Sequence, residues 1–435
     1  MTGMIQHEML LDQFRKTRDK TMDLVSTLAT DDFIVQTAFF TSPPKWHVGH
    51  VSWIYEAIMN KLDGNYEFHS GEFSKYLNSY YQQFGVPGDK GLRGIVSRPT
   101  VDQIFEYFGE ISRRVEDLIR SDKLDDRGRG LVTMGIHHEC QHQELLVYDL
   151  QHMLADQYRP AILEKSSESV TARQESVRVK GGLYMLGYGG SNFCYDIELP
   201  EHKVYLNDYN IDVFPVTNGQ YLKFIEDGGY DTYRYWLADG WEKVKSDGWK
   251  APMYWEKEDQ RWKIRDFLGK REINPNEPVC HVSYYEADAY CRWAGKRLPT
   301  EAEWEKAACW DENNQEKRIF PWGNDAPTPD RCNILESNRW ACMDVGTYPQ
   351  GSSPVGCQHM IGDVWEWTAS EFTGYPGFQS GFDEYNDKWF ANQKVLRGGS
   401  FGTPGISIRA SYRNFFRLDE RWMISGFRCA QDVSL

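Results

Sequence analysis

The chain has 435 residues, more than one ordinary hydrophobic core absorbs, so two domains or more are expected. Its formal net charge is -15, a surface that repels nucleic acid and anionic membranes and argues against both as partners. No apolar run approaches the ~18 residues of a membrane span, and Met1 to Leu11 lacks the basic-then-apolar pattern of a signal peptide. Nine cysteines, an odd number without Cys-x-x-Cys spacing, predict reduced thiols and a cytoplasmic protein.

In chain order, Met4 to Ala29 predicts an amphipathic helix, with Met9, Leu10, Phe14, Met22, Leu24 and Leu28 recurring at helical intervals. Ser42-Pro43-Pro44 breaks the chain. A second helix follows from Lys45 to Tyr55 and carries Trp46, His47, His50 and Trp53. Residues 64–100 read as an aromatic loop that holds Tyr80, Tyr81, Arg93 and Arg98. Thr100 caps a third helix, Val101 to Ser121. A fourth runs from Leu131 to Ala155 and contains Gly135-Ile136-His137-His138-Glu139-Cys140-Gln141-His142-Gln143-Glu144. Four helices with core-facing histidines predict a bundle, in which metal sites are built from side chains on facing helices.

The fourth helix concentrates metal-capable side chains. At about 100° per residue, His138 and His142 stand roughly 40° apart, one turn from each other on one face. Two imidazoles at that spacing can grip one ion, but the pair alone suits a helix–helix seam equally well. Glu144 falls about 200° from His142 and reads as an outer or structural group. Gln141 lies about 60° from His138, close enough to reach something bound there, and Leu145 and Asp149 continue the histidine stripe.

Residues 164–176 are polar and nearly free of large apolar groups, so the linker between domains 1–163 and 177–435 is placed there. Beyond it Gly, Trp, Tyr and Pro become frequent and helices few. Ser283 to Ala294 and Thr300 to Cys309 are the clear ones, and Thr300-Glu301-Ala302-Glu303 is a capping box.

Four segments of this second half resemble the formylglycine-generating-enzyme-like, or sulfatase-modifying-factor, fold. They are Pro215-Val216-Thr217-Asn218-Gly219-Gln220-Tyr221, Lys296-Arg297-Leu298-Pro299-Thr300-Glu301-Ala302-Glu303-Trp304-Glu305, Gly362-Asp363-Val364-Trp365-Glu366-Trp367-Thr368 and Val395-Leu396-Arg397-Gly398-Gly399-Ser400. The resemblance implies a C-type-lectin-related α+β domain. Formylglycine-generating enzymes use a late pair of copper-binding cysteines; the late region here offers Cys429, so that chemistry is not expected. The first half resembles the DinB-like four-helix bundle. Its fusion to such a second domain is similar to the EgtB-type sulfoxide synthases of ergothioneine biosynthesis, giving a multidomain α and α+β protein.

That family's helix pattern His-x3-His-x-Glu is matched by His138, His142 and Glu144, and its third histidine, which follows a Trp on an early helix, by His50 in Trp46-His47-Val48-Gly49-His50. His47 is not counted among the ligands. The resemblance implies a non-haem Fe(2+) site held by three histidines, with positions left for a substrate sulfur and O2. Donor type alone would equally allow zinc. The implied reaction joins the sulfur of cysteine, or γ-glutamylcysteine, to C2 of the imidazole of hercynine and adds one oxygen to the sulfur. Tyr80 and Tyr81 resemble a tyrosine pair to which proton donation is assigned. Arg93 and Arg98 could hold a substrate carboxylate and Gln141 the hercynine ring, while Asn414 matches a residue near the trimethylammonium and Phe415 and Phe416 could face that cation. Phe-Phe stands where other members carry Trp-Asp, which points toward free cysteine.

Sister activities on the same scaffold are selenoneine synthase and 5-histidylcysteine sulfoxide synthase. The latter, ovothiol branch usually carries a methyltransferase domain, and no residues follow Leu435 to form one. A zinc-dependent DinB-type thiol transferase would keep the three histidines without needing Tyr80 or Tyr81. A non-catalytic binding module is disfavoured by the complete histidine set.

Overall fold

The computed structural model describes residues 2–84, 88–121, 124–155, 157–160, 175–381 and 385–433, with side chains from residue 7 onward. The chain divides into two compact units, Met1–Pro160 and Ala161–Leu435. Of the expected linker, residues 164–174 lie outside the described set, and Ser176 already begins a strand.

The first unit is helical: α1 (Thr2–Val25), α2 (Pro44–Leu62), α3 (Gly71–Leu77), α4 (Val101–Arg120) and α5 (Asp126–Leu154). Pro44 opens α2 at a position where no amide hydrogen is needed. Thr100 and Gln103 form a reciprocal capping box on α4, and the Asp125 carboxylate accepts from the Gly128 amide at 2.7 Å to start α5. The region expected to be loop contains α3, a seven-residue helix capped by Ser70. It is too short to show a periodic apolar stripe, which is why its sequence reads as loop.

α2 packs on α4 and α5, and α1 on α4 and α5. Two glycines permit the close approaches. A Cβ on Gly135 would meet Tyr55 Cε1 at 2.7 Å and Ile58 Cδ1 at 2.9 Å, so α5 crosses α2 tightly one turn before His138. A Cβ on Gly49 would meet Leu77 Cδ2 at 2.6 Å and Ile104 Cδ1 at 2.8 Å, so the end of α3 lies against α2 beside His50. A buried polar layer ties the helices together. Arg18 donates to both Glu139 oxygens at 3.2 and 3.3 Å and to Ser52 Oγ at 2.9 Å, its guanidinium lies 3.3 Å over the Phe108 ring, and Thr21 donates to Glu139 at 2.6 Å. The two charges are tolerated in the core because each is paired and hydrogen-bonded.

The second unit mixes short strands with helices Asn218–Glu226, Ala238–Ser246, Tyr284–Trp293 and Glu301–Cys309. Ser283 and Thr300 cap the last two through the expected capping boxes. One antiparallel sheet orders the strands Ser176–Val179, Tyr209–Asp212 and Ala430–Asp432. Another places Trp365–Glu371 between Lys394–Arg397 and Ser425–Gly426, with Asn414–Phe416 on the outer side of Lys394–Arg397. Tyr209, Ile211, Trp304, Ala307 and Ile361 centre the core. Buried guanidiniums link its loops: Arg397 to Glu305, Arg409 to Glu198, Arg413 to Glu301 and Arg428 to Glu366. None of the nine cysteines, all of them described, is in a disulfide; Cys429 Sγ lies 3.4 Å from Cys291 Sγ.

Candidate metal centre

α2 and α5 bring His50, His138 and His142 together. One ring nitrogen from each lies within 4.8 Å of the other two, and this is the group among the described residues with the spacing to hold an ion. His50 and His138 are buried, and His142 is half-buried as a whole residue with its ring enclosed in the cluster. Ring centroids stand 4.5 Å apart for His50 and His142, 4.6 Å for His138 and His142 and 5.2 Å for His50 and His138.

The environment prepares these rings as ligands. Burial pushes the His138 pKa down to about 3, and burial, with the neighbouring histidines and Arg93 disfavouring a further positive charge, holds His50 and His142 well below the usual histidine range. Neutral imidazole is the form that ligates. His50 is aimed by its other nitrogen: Nδ1 donates to the Leu77 carbonyl at 2.6 Å, which leaves the lone pair on Nε2. That Nε2 is buried and has no hydrogen-bond partner among the described residues. A buried bare nitrogen is costly unless something fills it, so the donor set fits a resident metal ion.

Aromatic packing fixes the same ring. Trp46 stacks on His50 at 4.4 Å and 10°, and Trp53 stacks from the other direction at 5.9 Å and 22°. Positions i-4 and i+3 lie on one helical face, so a single surface of α2 builds the sandwich. Arg93 extends it, its guanidinium 3.3 Å over the Trp46 ring and donating to Ser42 Oγ at 2.8 Å. Arg93 is buried, which pushes its pKa down to about 9, and among the described residues it has no carboxylate within ion-pair distance.

Tyr81 is buried and Tyr80 half-buried, with ring centroids 4.6 Å apart. Asn78 pins the turn by accepting from the Tyr81 amide at 2.9 Å and donating to its carbonyl at 2.8 Å. The Tyr81 ring lies 5.8 Å from Trp53, so Trp53 touches Tyr81 as well as His50. Gln141 is half-buried on α5 next to His142. Arg98 is exposed and donates to the Ser97 carbonyl at 3.1 Å. Glu144 accepts from Tyr148 Oη at 2.6 Å and is not among the candidate ligands.

His47 is the residue that sequence reasoning passed over. Its Nδ1 lies 3.1 Å from His142 Nδ1 and its Nε2 2.9 Å from Asp149 Oδ2. A usable signal existed, because Asp149 continues the His138–His142 stripe by two further turns of α5.

In the second unit, Asn414, Phe415 and Phe416 form a half-buried strand paired with Lys394–Arg397. Successive side chains of a strand point to opposite faces. The two phenyl rings accordingly point to opposite faces: Phe415 stacks on Phe372 at 3.9 Å and 13°, and Phe416 lies 6.3 Å from Trp422. Asn414 Oδ1 accepts from the Phe415 amide at 2.9 Å.

A helical bundle with three converging histidines, followed by a loop-rich α+β unit, defines a fusion of two known domain types. Residues 13–146 match the DinB superfamily and residues 163–433 the sulfatase-modifying factor enzyme 1-like domain. Hercynine oxygenase from Mycolicibacterium smegmatis is 33% identical over 447 residues, covering 99% of this chain and 100% of that protein. Hercynine oxygenase from Mycobacterium tuberculosis is 36% identical over 372 residues, covering 80% and 86%. The formylglycine-generating enzyme of Streptomyces coelicolor is 32% identical over 305 residues but spans 60% of this chain. The chain belongs to the hercynine oxygenase family, EgtB-type sulfoxide synthases built from these two domains. No described helix is long and apolar enough to cross a membrane.

Proposed function

We propose that this enzyme is an Fe(2+)- and O2-dependent sulfoxide synthase acting on hercynine in ergothioneine biosynthesis. The observation that carries the reading is the neutral three-histidine cluster, with its bare His50 nitrogen, in a chain of this family. The thiol and the C2–H of the hercynine imidazole together lose two hydrogens, and a C–S bond forms. O2 delivers one atom to the sulfur and leaves the other as water.

His50, His138 and His142 would hold the iron. When bound, it would supply a redox-active centre with positions open to sulfur and O2. The chain's other residues position and exclude. Arg93, a buried guanidinium without a carboxylate partner among the described residues, takes the carboxylate of the thiol substrate. Gln141 hydrogen-bonds the hercynine ring from the half-exposed side of α5. The phenol of Tyr81 or Tyr80 provides the proton that reduced oxygen takes up. Asn414 would keep the role its family match implies, toward the trimethylammonium end, and Phe415 or Phe416 would offer that cation a ring face. The missing acidic residue after Phe415 favours cysteine over γ-glutamylcysteine, and the free thiols suit the cytoplasm.

The test is anaerobic loading with Fe(2+), followed by hercynine, cysteine and air, with mass spectrometry of the products. A species of hercynine plus cysteine plus one oxygen, less two hydrogens, is expected. Turnover only with selenium donors or with unmethylated histidine would replace this reading by a sister activity. A chain that binds zinc, rejects iron and transfers thiols without O2 would replace it by a thiol transferase.

A further inference from the structure

We propose that Asp149 and His47 form a hydrogen-bond relay that holds His142 in the tautomer able to ligate a metal through Nε2. The inference rests on the three-histidine metal reading and adds two positioning residues to it.

The geometry allows one consistent set of protons for neutral rings. Asp149 Oδ2 can only accept, so His47 donates to it from Nε2–H across 2.9 Å. A neutral imidazole carries one N–H, which leaves His47 Nδ1 as an acceptor. The two Nδ1 atoms stand 3.1 Å apart and share one proton. His142 must supply it. His142 is then the Nδ1–H tautomer, and its lone pair sits on Nε2. His50 reaches the same tautomer by donating to the Leu77 carbonyl.

The alternative, a doubly protonated His47, would put a second cation beside Arg93 in a site where His47 and Arg93 are both buried. The frame that holds Asp149 also argues for the carboxylate. Its Oδ2 accepts from the Ser42 amide at 2.8 Å, and Ser42 Oγ accepts from Arg93. The guanidinium that stacks toward His50 and the carboxylate that reaches His142 therefore meet at one serine. The relay does more than orient. Partial negative charge from Asp149 reaches the His142 ring through His47 and makes it a stronger donor, as a carboxylate does when it accepts directly from a ligating histidine.

The test begins with the metal-free wild-type chain labelled with 15N-histidine. Long-range 1H–15N correlation reads which nitrogen of each ring is protonated. His142 is expected as Nδ1–H; finding it as Nε2–H overturns the proposal without any variant. The second readout is zinc affinity by chelator competition. His47→Ala and Asp149→Asn are expected to weaken zinc tenfold to hundredfold. His47→Asn places an amide oxygen where Nδ1 stood and is expected to recover most of the loss. A purely structural role would lower thermal stability yet leave the tautomer and the pattern of rescue unchanged, and His47→Ala within twofold of wild type would also overturn the relay. If the relay behaves as described but no sulfoxide forms from hercynine, the functional reading fails alone. A wild-type chain that binds neither iron nor zinc removes the metal reading and the relay together.

Discussion

At the scale of residues, the proposed reading gives the histidines the task of holding the metal and the tyrosines that of supplying a proton. The three histidines are kept neutral by burial; Trp53 stacks on His50 and also packs against Tyr81, which packs against Tyr80. Tyr81→Phe is expected to slow sulfoxide formation roughly 10²- to 10⁴-fold while metal affinity stays within twofold, read by single-turnover kinetics and metal titration. Equal loss of metal would make the Asn78–Tyr81 turn structural. A second expectation concerns acid. His138 has a folded pKa of about 3 against ~6.5 when unfolded, so the unfolded chain binds the extra proton between those values. The metal-free protein therefore loses stability as pH falls below 6.5. This one group costs about 3 kcal/mol by pH 4.5, and His138→Gln should flatten the midpoint-versus-pH curve over that range. Some of this was legible from sequence alone. His138 and His142 announce themselves because a helix places i and i+4 together. His50 lies 88 residues earlier and no periodicity connects it to them; only the family resemblance did. His47 was passed over although Asp149 continues the histidine stripe of α5, because periodicity does not say which residue of another helix that carboxylate meets.

At the scale of elements, the centre exists because α2 and α5 touch closely. Gly135 is the point of approach, and Tyr55 and Ile58 fill the space where a methyl group would stand. Gly135→Ala gains about 1 kcal/mol of helix propensity but overpacks the crossing by about 1–3 kcal/mol. Urea unfolding of the metal-free protein should show a net loss of about 1 kcal/mol, with weaker metal binding, because His138 is displaced from α2. A variant as stable as the parent with unchanged affinity would mean that the crossing has slack. The long helices were readable because their apolar positions recur and their caps are explicit, as Thr100 and Ser283 show. α3 was not, and neither were the strands of the second unit, several of them two to four residues long. Strands that short carry too few alternations to separate from loop. The phenylalanine pair shows a different limit: a motif match named Phe415 and Phe416 together, and the pleat of the strand then divided them.

At the scale of the whole molecule, the chain matches hercynine oxygenases nearly end to end and formylglycine-generating enzymes over its second unit. The three candidate metal ligands all belong to the first unit. Metal loading is therefore expected to stabilise that unit's helices, by about 2.7 kcal/mol at a free concentration a hundredfold above Kd. Amide exchange in α2 and α5 should slow by up to about a hundredfold on loading. Unchanged exchange at saturating metal would place the ion elsewhere.

The confinement of the three candidate ligands to residues 50–142 also has a consequence in time. Synthesis proceeds from the N-terminus at ~5–20 residues per second, so residues 161–435 need roughly 14 to 55 s to follow. During that interval a nascent chain already owns its full imidazole set while still attached to the ribosome. An ion captured then would be set by which metals the cell keeps freely exchangeable, before substrate or oxygen selects anything.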